Sequence, residues 1–265
     1  MMKKNLPIGV IDSGVGGLSV LKRLQQALPQ EEFIYIGDTA RTPYGSRSEA
    51  QVRQFVEEVL CWLDRQHIKL AVIACNTITV LGVDTLQREH KFPLIGMSKG
   101  AELVLKASRN KKIGVMATPF TVSTEAHKKA ILAQNPQAQV YLQACPKFVP
   151  LIEKEILEGP EVEAAVAEYT APLKQAGVDT VILSCTHYPF IYEAISKDFG
   201  SGVQVIDPAE ATAAQAVQLL QDNGWLREAK GAAVKICSTG DIGRVRRLAE
   251  YMLPQGAYDF QQVSL

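Results

Sequence analysis

Two cysteines end apolar runs and are followed at once by polar side chains. They lie in Ala71-Val72-Ile73-Ala74-Cys75-Asn76-Thr77 and, 110 residues on, in Val181-Ile182-Leu183-Ser184-Cys185-Thr186-His187. A thiol at a strand end next to a helix start can work as a thiolate. The competing reading is a small buried hydrophobe, the usual state of a free cysteine. That plainer reading is adopted for Cys61, Cys145 and Cys237, of which Cys61 falls inside an amphipathic stretch and the others lack a matching partner. Structural zinc takes four ligands, typically from closely spaced Cys or His pairs, and the chain contains no Cys-x-x-Cys. A redox dithiol lacks the same short spacing. A nucleophilic Cys185–His187 pair would leave Cys75 unused. Proton transfer at both faces of one carbon uses both thiols, a base on one side and an acid on the other, with the sulfurs roughly 7 Å apart across the substrate.

Two further residues fit that chemistry. Asp12 closes the run Ile8-Gly9-Val10-Ile11-Asp12-Ser13-Gly14, and His187 stands two residues after Cys185. Each could assist proton transfer at one thiol. Alternatively, Asp12 is a turn residue before Gly14, and His187 a hydrogen-bonded core histidine. Thr39-Ala40-Arg41-Thr42-Pro43-Tyr44-Gly45 and Thr118-Pro119-Phe120-Thr121 are turns rich in hydrogen-bonding groups, suited to a carboxylate and an ammonium. Gly14-Val15-Gly16-Gly17-Leu18-Ser19 resembles a dinucleotide loop, with Asp38 as its acid, but the third glycine comes too early and Ser19 stands where Gly or Ala is wanted. No Walker-type Gly-Lys-Ser/Thr supports ATP use.

Such residues need strands to carry them. Unbroken apolar runs at Ile8–Ile11, Phe33–Ile36, Leu70–Ala74, Leu94–Gly96, Ile113–Met116, Val140–Leu142, Thr180–Leu183 and Val203–Ile206 predict strands covered on both faces. Between them, Ser48–Gln66 sets Val52, Phe55, Val56, Val59, Leu60 and Leu63 on one helical stripe. Glu161–Ala176 and Ala209–Asn223 have similar patterns. The order repeats: Lys112-Ile113-Gly114-Val115 echoes Pro7-Ile8-Gly9-Val10 at an offset of 105 residues, and the cysteine runs follow at an offset of 110. This predicts an α/β protein of two similar domains with mostly parallel sheets, about four strands each, related by a pseudo-two-fold and sharing an active site in the cleft between them. The first would hold residues 1–97 together with about 211–265, a helix-rich returning segment; the second would hold 98–210.

The bulk composition agrees. The 28 basic residues balance 28 acidic ones, so charge gives no argument for a nucleic-acid or membrane partner. The basic opening from Met1 to Lys4 precedes an apolar stretch too short for a signal peptide. Five cysteines, an odd number without an export signal, point to reduced thiols in the cytoplasm.

As a set, Asp12-Ser13-Gly14-Val15-Gly16-Gly17, Gly37-Asp38-Thr39-Ala40-Arg41 with Pro43-Tyr44-Gly45, Ala74-Cys75-Asn76-Thr77, Val149-Pro150-Leu151-Ile152-Glu153 and Cys185-Thr186-His187-Tyr188-Pro189 resemble the glutamate racemases. The resemblance runs from Ile8 to about Asp241. It implies cofactor-independent interconversion of L- and D-glutamate by an isomerase that supplies D-glutamate for bacterial peptidoglycan. It also implies two domains with the active site between them and, as in many members, a homodimer. Carried over, Cys75 and Cys185 are the proton donors and acceptors, and Asp12 and His187 their assistants. Substrate contacts are Asp12, Ser13, Pro43, Tyr44, Gly45, Asn76, Thr77, Thr118, Thr121, Glu153, Thr186 and His187.

The chain departs from the family at Gly96-Met97-Ser98-Lys99-Gly100, where Gly-Val, a variable residue and Glu-Pro are common, and at Ile78-Thr79, where Ala-Ser is typical. Neither change removes a proton-transfer residue. Without an N-terminal extension, activation by a nucleotide precursor is not expected. No lysine stands in a recognisable Schiff-base setting, so pyridoxal phosphate is not implied. Racemisation of aspartate or another acid by the same mechanism is the neighbouring alternative. A two-lobed binding protein is the non-catalytic one, and it would not require both thiols.

Overall fold

The computed structural model describes residues 3–228 and 233–265; Met1 and Met2 of the basic opening lie outside them. The described residues form parallel sheets flanked by helices, an α/β fold. The strands are β1 (Ile8–Asp12), β2 (Phe33–Gly37), β3 (Leu70–Ile73), β4 (Leu94–Gly96) and β5 (Lys112–Ala117). They continue with β6 (Gln139–Ala144), β7 (Thr180–Ser184), β8 (Gln204–Ile206), β9 (Val234–Ser238) and β10 (Tyr258–Gln262). The chain divides into two compact units, Met1–Met97 with Ala209–Leu265, and Ser98–Pro208.

In the first unit the strand order is β10-β9-β2-β1-β3-β4. In the second it is β6-β5-β7-β8, the same order as β2-β1-β3-β4. The sequence repeat is therefore a repeat of topology. Strands β1, β2, β3 and β7 are buried along their whole length, as their unbroken apolar runs predict. The first unit departs from the expectation of about four strands and a helix-rich end: among the described residues it has six, two from the returning segment. Lys235 interrupts the apolar run of β9. β10, which pairs only with β9 among the described strands, has Asp259, Gln261 and Gln262 exposed, so neither reads as a strand covered on both faces.

The helix Glu49–Arg65 begins where Ser48 closes a capping box with Gln51, the serine hydroxyl accepting from the Gln51 N–H at 3.3 Å. Its buried stripe includes Val52, Val56, Val59, Leu60 and Leu63. Phe55 is only partly buried, with its ring 5.5 Å from that of Tyr44. The helix Ala209–Asp222 returns to pack on Leu18–Ala27.

At the amino ends of β2 and β3, a buried ion pair ties the returning segment to the sheet. Lys69 is fully buried and donates to Glu31 Oε2 at 2.5 Å, to the Lys4 carbonyl at 3.0 Å and to the Trp225 carbonyl at 2.9 Å. Glu31 Oε1 accepts from the Arg227 N–H at 2.9 Å. Three donors meet three acceptors, so the charges are compensated. Lys69→Met strands the Glu31 carboxylate, and urea denaturation should show a loss of about 3–5 kcal/mol, the scale of a broken buried pair. A loss below about 1 kcal/mol would contradict this role.

Candidate active site

Each thiol is set by sheet register. β1 pairs β3 with Ile11 opposite Ile73, so two residues past the ladder Ser13 comes level with Cys75. Ser13 Oγ lies 3.5 Å from Cys75 Sγ, and both residues are buried. Cys75 is extended and precedes the short helix Asn76–Val80. Thr79 Oγ1 donates to the Cys75 carbonyl at 3.0 Å and accepts from the Met97 N–H at 3.0 Å, a use found for two of the departing positions. Asp12 Oδ1 accepts from the Gly14 N–H at 2.8 Å, the turn contact of its alternative reading. A Cβ on Gly17 would stand 2.7 Å from the Asp12 Cβ, so that glycine is required by close packing at the strand end. Asn76 and Thr77 are buried, and Asn76 Nδ2 has no hydrogen-bond partner among the described residues.

The turn after β2 is organised by Asp38, which is fully buried. Its carboxylate accepts from Arg41 Nε at 2.6 Å, from Thr239 Oγ1 at 2.7 Å and from the Tyr44 hydroxyl. Arg41 also pairs with Glu58 and lies 4.2 Å over the Phe55 ring. The Tyr44 ring joins the buried cluster that contains Cys75. Burial and the Asp38 carboxylate raise its pKa above the tyrosine range, so its hydroxyl stays a donor. The Tyr44 hydroxyl is committed to Asp38 and its carbonyl accepts from the Arg47 N–H, while Gly45 is half-buried and Pro43 exposed. Asp38, Arg41 and Thr239 were not foreseen as a network. A dinucleotide-type role for Asp38 is replaced by this internal one, because its oxygens are taken up by its own loop and by the end of β9.

In the second unit, Ala117 of β5 pairs Ser184 of β7, which brings Thr118 level with Cys185 as Ser13 is with Cys75. Thr118 caps the helix Pro119–Ser123, and its hydroxyl donates to Thr121 Oγ1 at 3.1 Å. Cys185 Sγ lies 3.9 Å from His187 Nδ1, and Thr186 is buried beside it. His187 Nε2 is 2.7 Å from Glu153 Oε1, so Glu153 backs the histidine. Burial pulls the His187 pKa down, but hydrogen bonds and charge from Cys185 and Glu153 raise it well above the ordinary value. The charged ring can then donate to a thiolate at one nitrogen and to a carboxylate at the other. Behind it, Phe148 packs edge-on against Tyr188 and Tyr169, with centroids 5.1 and 5.2 Å away.

Of the other cysteines, Cys145 and Cys237 are buried as expected, but Cys61 is exposed on its helix, within 3.4 Å of Glu57. Among the described residues no group of three His, Cys, Asp or Glu could hold a metal ion. No helix among them is long and apolar enough to cross a membrane.

Two buried histidines of this unit are pushed in opposite directions. Burial, with Lys99 nearby, lowers His127 to about 4. Between pH 6.5 and about 4 the unfolded chain binds a proton that folded His127 refuses, so stability falls with pH across that window. His127→Phe should flatten this slope in urea denaturation at a series of pH values; an unchanged slope would contradict it. His187 contributes the other way, fully below pH 6.5 and less as pH rises through its raised folded value. Glu153→Gln should move the His187 ring resonances to a lower titration midpoint in NMR, and an unmoved midpoint would contradict the pairing.

The sequence matches the model of the Asp/Glu/hydantoin racemase family over residues 8–216. It is 42% identical over 263 residues to a glutamate racemase of Lysinibacillus sphaericus strain C3-41, covering 98% of this chain and 99% of the relative. The structure is similar to a glutamate racemase isoform from Bacillus anthracis, with a TM-score of 0.91 and 35% identity over 99% of this chain and 98% of that one. It is also similar to the Francisella tularensis glutamate racemase in complex with D-glutamate, with a TM-score of 0.88 and 34% identity over 98% of each chain. With the family model matched over most of the chain and a relative 42% identical over nearly all of it, the chain belongs to the Asp/Glu/hydantoin racemase family.

Proposed function

We propose that this racemase interconverts L- and D-glutamate by two-base proton transfer between Cys75, Cys185 and the α-carbon. The observation that carries the reading is the pair of buried thiols, each at the carboxyl end of the same strand in two sheets of one order. One cysteine, as thiolate, takes the α-proton, and the C–H electron pair moves onto the carbon and its carboxylate. The opposite thiol gives its proton to the other face and is left as the thiolate. One thiolate and one thiol have exchanged places, so the next turnover runs the other way or follows proton exchange with solvent. His187, held by Glu153, serves Cys185; Asp12 and Ser13 serve Cys75.

Burial strengthens the polar contacts that stabilise the carbanion. The unpartnered Asn76 Nδ2, with Thr77 and the Tyr44–Gly45 backbone, suits a substrate carboxylate near Cys75. Thr118, Thr121 and Thr186 are the matching contacts near Cys185. The two thiols supply both acid and base, so the reading requires no cofactor. In the cell this chain would act in the cytoplasm, as a homodimer, supplying D-glutamate for peptidoglycan.

Circular dichroism of L-glutamate incubated with the protein should decay to zero, and aspartate under the same conditions should persist. Cys75→Ala and Cys185→Ala should each slow the decay by about 10³-fold or more, the upper range for loss of a positioned acid or base. Turnover of aspartate instead would move the substrate and keep the mechanism. An alanine variant with near-normal rate would overturn the two-thiol reading, and binding of glutamate without turnover by the wild type would replace it with a binding protein.

A further inference from the structure

The end of β9 is bonded to the turn that follows β2, although the two are about two hundred residues apart in sequence. Ser238 Oγ and Thr39 Oγ1 are 2.6 Å apart. Thr239 Oγ1 donates to Asp38 Oδ1 at 2.7 Å and accepts from the Ala40 N–H at 3.1 Å. The Gly240 N–H donates to Thr39 Oγ1 at 3.0 Å, and a Cβ at 240 would stand 2.6 Å from that oxygen. Asp38 passes the constraint on, since its other oxygen holds Arg41 and the Tyr44 hydroxyl. A fully buried carboxylate needs its donors, so it cannot be released from one side without loosening the other.

We infer that Thr239 is a positioning residue for the racemase reaction: through Asp38 it fixes the turn from Thr39 to Gly45 whose backbone receives the substrate beside Cys75. The inference rests on the racemase reading above. Thr239 touches no substrate in this scheme. Its hydroxyl serves as donor to Asp38 and acceptor from Ala40 at once, so valine of similar shape removes both bonds while keeping the volume. The turn binds ground and transition states alike, so loosening it weakens substrate binding without changing the chemical step.

The test is glutamate racemisation in both directions by the full chain as wild type, Thr239→Val, Thr239→Ser and Ser238→Ala, together with amide hydrogen exchange of the free proteins. Thr239→Val should raise KM about fivefold to tenfold, the scale of one typical net hydrogen bond, with kcat within about twofold. Thr239→Ser, which keeps the hydroxyl, should restore KM. Ser238→Ala, which keeps the Asp38 contact and loses the one to Thr39, should give a smaller rise of about threefold. Exchange at Ala40 and Arg41 should quicken in Thr239→Val. An active wild type with an unchanged KM in the valine variant would overturn the inference alone, as would a serine variant as impaired as valine. If the valine variant fails to fold, Thr239→Ala removes the same hydroxyl, and an unchanged KM in it overturns the inference equally. A wild type inactive on glutamate would overturn the racemase reading, and unquickened exchange would separately overturn the link from Thr239 to the turn.

Discussion

A hydrogen on the carbon between an ammonium and a carboxylate is a weak acid, and a base that removes it must be fixed and shielded from water. On the proposed reading, the buried strand ends of the two sheets meet that constraint. Both thiols sit where a buried parallel strand ends, the one place in such a sheet where a side chain is anchored by a rigid ladder yet offered to a ligand. Strand register then supplies each with a hydroxyl-bearing neighbour at the same level, Ser13 for Cys75 and Thr118 for Cys185. The same topology used twice gives two equivalent positions without requiring two unrelated inventions.

The two settings differ in how they handle charge. Cys185 faces a histidine whose far nitrogen is bound to a buried carboxylate, so a positive charge is held beside the thiol. Cys75 has the Ser13 hydroxyl 3.5 Å away, and Tyr44, whose hydroxyl is held by Asp38, packs in the same buried cluster. A reversible reaction needs the two thiols to change roles. Unlike neighbours can still make that exchange nearly even, provided each stabilises its own thiolate to a similar degree.

Much of this was legible in the sequence because parallel strands buried on both faces are written as unbroken apolar runs. All eight such runs are strands, although β6 and β8, at the edges of the second sheet, are only half-buried, and the repeated order of runs and cysteines is a repeated order of strands. The stripe at Val52, Val56, Val59, Leu60 and Leu63 is buried for the same reason. What escaped notice lacks local periodicity. β9 is broken by Lys235, and β10 pairs with a neighbour on one side only, so its half-exposed residues mix aromatic and polar types. Glu153 meets His187 across 34 positions, and Thr239 meets Asp38 across 201; no spacing rule encodes contacts that only the fold closes. Asp38 was visible as an acid at a strand end, but its three donors come from a turn and from the far end of the chain.

The most direct test of the two-thiol account follows the fate of the label at the first turnover. L-Glutamate is mixed with the protein in deuterated buffer, and the α-carbon of substrate and product is read by NMR and chiral separation while conversion is still low. Removal by one thiol and return by another predicts D-glutamate that is deuterated from its first appearance, beside remaining L-glutamate that keeps its hydrogen. Deuterium entering the recovered L-glutamate as fast as it enters the product would mean that a single base serves both faces, and would contradict the account.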